Sequence, residues 1–219
     1  MMGKIVAIEG VDGAGKFTVS KSLKALIEDR GKTATIVSFP RYSETIAGQA
    51  LGNFLSGKTY IPEDPKSIAT LYAMDRFESK SLIESINLKS DFLIFDRYIA
   101  SNMAYQSAKV DLEFQDQMIE WVLNLELKVF GLPAPNLNAY LRISPNASAK
   151  NVLRKPKRDY TDLDADRHEA DSSLLTRVPL VYENLIAKSV LGEWCAVDVD
   201  FDGNLRRPEE LAAEILTQL

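Results

Sequence analysis

Histidine and cysteine are nearly missing from this 219-residue chain, with His168 and Cys195 the sole examples. One cysteine cannot close an internal disulfide, and the pair cannot build a Cys/His metal cluster. Long hydrophobic stretches are missing too: no apolar run approaches the ~20 residues that cross a bilayer. The first residues read as a strand, not as a signal peptide, so a cytoplasmic protein is expected. Positive charge is in short supply as well. A net charge of −5 argues against a nucleic-acid coat or a membrane-surface binder. Repeats, low-complexity tracts and dividing linkers are absent, so residues 1–219 are expected to form a single domain.

What the chain does have is alternation. Short apolar runs, expected as strands at 4–9, 33–39, 91–95, 138–143 and 194–199, are separated by longer helical patterns. These fall at about 16–30, 66–89, 112–130 and 168–190, with a last helix from Pro208 onward, where the missing N–H of proline costs nothing. Gly31 and Gly131 suit helix ends. Five strands alternating with helices imply an α/β fold, a parallel sheet wrapped by helices. The stripe Ile119, Val122 and Leu123 fits either core packing or a helix–helix interface.

The segment Gly10-Val11-Asp12-Gly13-Ala14-Gly15-Lys16-Phe17-Thr18 joins the first strand to the first helix. A glycine-rich turn there lets backbone N–H groups converge at the positive end of a helix dipole. With Lys16 in register, the G-x-x-x-x-G-K pattern suits a polyphosphate. The pattern then wants Ser or Thr to ligate magnesium, and this chain has Phe17. Thr18, one residue later, can bond phosphate but points elsewhere. Metal holding therefore shifts to Asp12, to other carboxylates or to the nucleotides themselves.

Further polar residues cluster at strand ends. Asp96 and Arg97 follow the apolar run Phe92–Phe95, at the carboxyl end where ligands of a parallel sheet gather. Arg97 can grip a phosphate bidentately, or the two can be a structural ion pair. Phe39-Pro40-Arg41-Tyr42 ends the second strand in the same way, with Phe39 either core or contact. Tyr72 and Arg76 share a helix face and together can hold a flat heterocycle, although such pairs often lie on helix surfaces. Asn102 and Tyr105 offer an amide and a hydroxyl. A basic knot of Arg154, Lys155, Lys157 and Arg158 fits either a solvated loop or a mobile arm that neutralises transferring phosphate.

Taken in order, Gly-Val-Asp-Gly-Ala-Gly-Lys, Phe-Pro-Arg-Tyr, Asp-Arg-Tyr with Ala-Ser-Asn-Met-Ala-Tyr, and Asp-Arg-His-Glu resemble the bacterial thymidylate kinases. The resemblance covers about residues 4 to 190 and looks closest to the actinobacterial branch. It implies a three-layer P-loop NTPase fold, with a mobile lid at about 150–166 and a homodimer built through helices. It implies dTMP and ATP as substrates, magnesium as cofactor and transfer of the γ-phosphoryl group for dTTP synthesis. Lys16 and the amides of the Gly10–Thr18 loop would hold the ATP phosphates. Arg97 and Tyr42 would grip the dTMP phosphate, with Asp96 beside them. Tyr72 would stack on thymine, Arg76 and Asn102 would read its edge, and Tyr105 would disfavour ribose. Asp12, Asp166 and Glu169 would form the metal site, and His168 would lie against the nucleoside. Arg158 and then Arg154 would be the catalytic lid arginines. The family's sharp turn also implies a cis Phe39–Pro40 bond. Alternatives are another nucleoside monophosphate or deoxynucleoside kinase and, more remotely, a GTP-dependent switch. A switch would normally carry Asn-Lys-x-Asp, which is absent, while Asp200 to Gly203 fits its Asp-x-x-Gly only formally.

Overall fold

β-Branched and apolar residues concentrate in five short runs, and those runs pair as one parallel sheet in this computed structural model, which describes residues 2–62, 64–153, 172–201 and 203–219. The strands are β1 (Lys4–Glu9), β2 (Ala34–Ser38), β3 (Phe92–Asp96), β4 (Leu137–Arg142) and β5 (Trp194–Asp198), in the order β2-β3-β1-β4-β5. All four pairings are parallel, and Ile8 on β1 lies in register with Asp96 on β3. The carboxyl ends of the two strands that carry the expected phosphate-facing motifs are therefore side by side. Ile5 to Ile8 are buried, as expected of a central strand covered on both faces.

Two groups of helices cover the sheet. Helix α1 (Lys16–Glu28) packs on the last helix, α9 (Pro208–Leu216). On the other side α5 (Ile99–Ser107) packs against α3 (Pro65–Glu78), α6 (Gln115–Leu123) and α8 (Ser172–Ala187). The remaining helices are α2 (Ile46–Leu55), α4 (Lys80–Lys89) and α7 (Pro145–Leu153). A small hairpin, β6 (Asp200–Phe201) with β7 (Asn204–Leu205), follows the sheet. Asp200 thus lies in a strand of this pair, where it accepts hydrogen bonds from the Ser144 N–H at 2.8 Å and its hydroxyl at 2.7 Å. The formal Asp-x-x-Gly match of the GTP-switch alternative therefore begins after the last strand of the main sheet.

Several elements depart from the expected pattern for identifiable reasons. The helix expected over 66–89 breaks at Ser79, whose hydroxyl donates to the Asp75 carbonyl at 2.9 Å and accepts from Arg41 at 3.0 Å. Such back-bonding competes with the helix ladder. Arg41, which follows Pro40 beyond β2, also donates to Glu44. Helix α5 gives no amphipathic signal because every residue from Ile99 to Ser107 is buried. Helix α2 hides behind its glycines. Gly48 is needed there, since a Cβ would lie 2.2 Å from the Arg41 carbonyl oxygen. The 112–130 segment is helical but mixed: α6 runs directly into a π-helical stretch, Asn124–Val129. Ile119 and Val122 of the apolar stripe are buried within the chain's own core, with Leu123 packed against it.

Candidate active site

Helix α1 begins at Lys16 behind Gly15, which sits at φ 81° and has no side chain to cap the first turn. The opening N–H groups of α1 are therefore left without a side-chain cap at the dipole's positive end. The turn is held from α7: the Ser148 hydroxyl donates to the Asp12 carbonyl at 2.6 Å, and the Asn151 amide donates to the Gly13 carbonyl at 2.9 Å. Gly13 has φ 81°, and a Cβ there would meet the Ser148 carbonyl oxygen at 2.4 Å. Lys16 is buried and donates to the Val11 carbonyl at 2.8 Å, curled over its own loop. Phe17 points outward, 48% exposed, with the Lys21 ammonium 4.4 Å from its ring centroid. Thr18 is also exposed.

Arg97 is brought onto this loop by an uncommon backbone. Its φ of 66° lies in the left-handed region, and its N–H donates to the Ile8 carbonyl at 3.1 Å. The guanidinium donates to the Gly10 carbonyl at 3.1 Å, Ser101 at 3.2 Å, Asp12 at 2.7 Å and Tyr105 at 3.3 Å. The Tyr105 hydroxyl in turn donates to the other Asp12 oxygen at 3.0 Å. Arg97 thus pairs with Asp12 across the loop, and that contact answers the question of a simple Asp96–Arg97 cap. Burial opposes the charge on Arg97, but Tyr105, Asp12 and further neighbours hold its pKa well above the ordinary value. Burial also pushes the Tyr105 phenol up, so it is a neutral donor at pH 7. Asp96 sits half-buried at the end of β3, 3.5 Å from the Ser38 hydroxyl.

Beneath Arg97 lies a carboxylate that the sequence pattern does not single out. Glu9 is fully buried and accepts from Ser101 at 2.5 Å, from the Tyr98 N–H at 2.9 Å and from Tyr182 at 3.2 Å. Burial pushes its pKa up from 4.5, against those hydrogen bonds and the Arg97 charge. A glutamate at the end of an apolar strand was the available signal.

Arg76 on α3 and Asn102 on α5 converge on the Glu126 carboxylate. Arg76 is 2% exposed and donates through Nε and Nη2 to the two oxygens of Glu126, each at 2.5 Å. Burial opposes its charge, and Glu126 more than offsets that, leaving its pKa raised. The guanidinium also lies 5.9 Å from the centroid of Phe39. Phe39 itself is core, with Phe95 and Tyr98 centroids at 5.8 and 6.2 Å. The Asn102 amide donates to the Ala69 carbonyl at 3.0 Å and to Glu126 at 2.8 Å. Arg76 is therefore not a surface arginine. Tyr42 and Tyr72 both pack on a small satellite cluster of Phe54, Leu55 and Ile68. The Phe39–Pro40 bond is cis, as expected.

Helix α5 links the two halves. Ser101 and Tyr105 touch Arg97, while Asn102, on the same buried helix, donates to Glu126, the carboxylate that Arg76 also holds. Of the expected metal ligands, only Asp12 falls among the described residues. Its partly exposed carboxylate, on the phosphate loop and paired with Arg97, is a hard oxygen donor, which fits a magnesium ion held by one or two carboxylates and substrate phosphates. Asp166, Glu169, His168, Arg154 and Arg158 lie outside the described residues, as does most of the expected lid.

Comparison with known proteins agrees with this geometry. The thymidylate kinase of Mycobacterium tuberculosis (strain H37Rv) is 32% identical over 212 residues, covering 96% of each chain. That of Homo sapiens is 30% identical over 148 residues, covering 68% of this chain and 65% of its own. Among solved structures, a thymidylate kinase from Candida albicans matches with a TM-score of 0.72 at 22% identity, over 99% of this chain and 91% of that one. This likeness shows the fold, a five-stranded parallel sheet flanked by helices. The family model described as thymidylate kinase matches residues 8–200, from within β1 to the start of β6, and the chain accordingly belongs to the thymidylate kinase family of phosphotransferases.

Proposed function

We propose that this chain transfers the γ-phosphoryl group of ATP to dTMP, giving dTDP and ADP for dTTP synthesis, in the cytoplasm and as a homodimer. The observation that carries this reading is the single buried helix α5. It carries Tyr105, in contact with the cation at the phosphate loop, and Asn102, which shares Glu126 with Arg76 in a pair suited to a base edge.

The acceptor phosphate has a second pKa near ~6 and is largely dianionic at neutral pH, so no general base is needed. The obstacle is repulsion between two polyanions approaching in line. Positioning and cations overcome it. Lys16 exchanges the Val11 carbonyl for ATP phosphate oxygens, which the amides of residues 13–18 also receive. Arg97 exchanges part of its contact with Asp12 for the acceptor phosphate, with Tyr42 assisting. Asp12, Asp166 and Glu169 would hold magnesium, which supplies charge neutralisation between the phosphates. Arg158, or as the second candidate Arg154, supplies a lid cation over the transferred group. Tyr72 stacks on thymine, backed by the Phe54–Leu55–Ile68 cluster. Phe39 supports Arg76 from beneath. Tyr105, fixed by Asp12, crowds the sugar's 2′ position, while Asp96 orders the β3 end and His168 borders the nucleoside.

The test is product identification by ³¹P spectroscopy. ATP with dTMP should yield dTDP and ADP in equal amounts, dependent on added magnesium. ADP and inorganic phosphate without dTDP would reject the reading.

A further inference from the structure

Glu126 has no role in the reaction so far, yet it is 0% exposed and two side chains of the base-reading pair converge on it. It lies in the π-helical stretch Asn124–Val129, where a wider turn shifts side chains out of ordinary α register. Three N–H groups meet its two oxygens: Nε and Nη2 of Arg76, and the amide of Asn102. A carboxylate can only accept, so it dictates the orientation of both partners. The Asn102 amide nitrogen must face Glu126, and the Ala69 carbonyl reinforces that choice. The Asn102 oxygen is thereby turned away. It is buried and has no hydrogen-bond partner among the described residues. The Arg76 fork is committed through Nε and Nη2, which leaves Nη1 as the nitrogen outside the pair.

Building on the dTMP kinase reading above, we infer that Glu126 is a specificity-determining positioning residue that sets the hydrogen-bonding polarity of the base site. A donor from Arg76 and an acceptor from Asn102 match a pyrimidine with a carbonyl at position 4 and an N3–H, as in thymine or uracil. Cytosine presents the reverse, an amino group at position 4 and a bare N3 acceptor. An asparagine amide can serve either pattern. Glu126 removes that freedom, because turning the amide would aim its oxygen at a carboxylate.

The test compares kcat/KM for dTMP and dCMP in the wild-type enzyme, Glu126→Gln and Glu126→Asp. Glutamine keeps the size but offers one acceptor and one donor group to three N–H groups, so the Asn102 amide is released from half of its constraint. The dTMP/dCMP ratio should fall at least ~10-fold in Glu126→Gln, because the Asn102 half of the site's polarity no longer rejects the wrong edge, while Arg76, which can only donate, still opposes cytosine's amino group. Aspartate leaves a gap but remains acceptor-only, and should keep the wild-type preference even if turnover drops. A purely structural residue would show the opposite order, since the isosteric change would be the milder one. An unchanged ratio in Glu126→Gln, or an equal collapse in Glu126→Asp, overturns the inference. A second measurement needs no variant: the Asn102 side-chain amide protons should exchange slowly with solvent, both free and with dTMP bound. Rapid exchange in either state also overturns it. Wild-type enzyme inactive on dTMP would instead reject the reading of the site as a whole.

Discussion

Replacing Arg97 tests the electrostatic core of this site. Its guanidinium touches the Gly10 carbonyl, Asp12, Ser101 and Tyr105, so it is pre-oriented beside the Lys16 loop before any substrate arrives. A cation ~4 Å from a phosphate charge, at an effective dielectric of ~20, is worth about 4 kcal/mol. Loss of one preorganised group of this kind typically costs ~2.7–4 kcal/mol, or ~100- to 1,000-fold in turnover. Arg97→Ala should therefore lower kcat at least ~100-fold in a coupled ADP-release assay at saturating ATP. Arg97→Lys restores a point charge without the planar fork and should fall between the two. Stability should respond differently. The Arg97–Asp12 pair is partly solvent-screened, so its loss should cost only ~1 kcal/mol. The φ of 66° strains alanine as it strains arginine, whereas Arg97→Gly relieves that strain. Glycine should then be ~1 kcal/mol more stable than alanine at this position and equally inactive. A folded Arg97→Ala enzyme with kcat within a few-fold of wild type would refute the reasoning.

Gly13→Ala forces a Cβ to 2.4 Å from a backbone oxygen at φ 81°, and should cost at least ~2 kcal/mol and abolish thermal stabilisation by ATP. Gly15→Ala meets nothing within 4 Å and should cost only its backbone strain, ~1 kcal/mol, so equal melting temperatures for the two would contradict this. Burial raises the Glu9 pKa above 4.5, so the folded state binds that proton more tightly than the unfolded one. Glu9's contribution is therefore most favourable below pH ~4.5 and is lost as pH rises through its raised folded value. The stability of Glu9→Gln relative to wild type should improve as pH is raised from 4.5 to 7 in parallel thermal melts; a pH-independent difference would reject the assignment. The preference for dTMP over dUMP rests on one methyl group, worth ~1–3 kcal/mol, and a far larger kcat/KM ratio would mean that an unrecognised contact reads the 5-position.

The sheet and the phosphate loop were legible because their signals are local. Apolar strands of five or six residues and a glycine–lysine spacing need no tertiary information. Helix α5 escaped the pattern since burial on all sides erases the 3.6-residue period, and the α3–α4 break escaped it since it depends on Arg41 meeting Ser79 from another element. The site divides along the same line. Lys16, Asp12, Arg97, Arg76, Asn102 and Tyr105 carry recognisable motifs, and the structure brings them onto two linked hydrogen-bond clusters. Glu9, Glu126, Ser148 and Asn151 act by holding those residues or their loop. Their partners lie 24 to 173 positions away, at spacings no helix or strand repeat encodes. Glu126 in particular reads as one more surface glutamate until α3 is folded against it.

The most direct measurement is the rate of ADP formation by the wild-type protein with dTMP, dUMP, dCMP and AMP offered separately under identical conditions. The predicted result is turnover in the order dTMP, then dUMP, with dCMP and AMP far behind. A dCMP rate equal to that for dTMP, or ADP formation indifferent to the acceptor, would contradict the assignment of Arg97 to an acceptor phosphate and of Arg76 with Asn102 to a thymine edge.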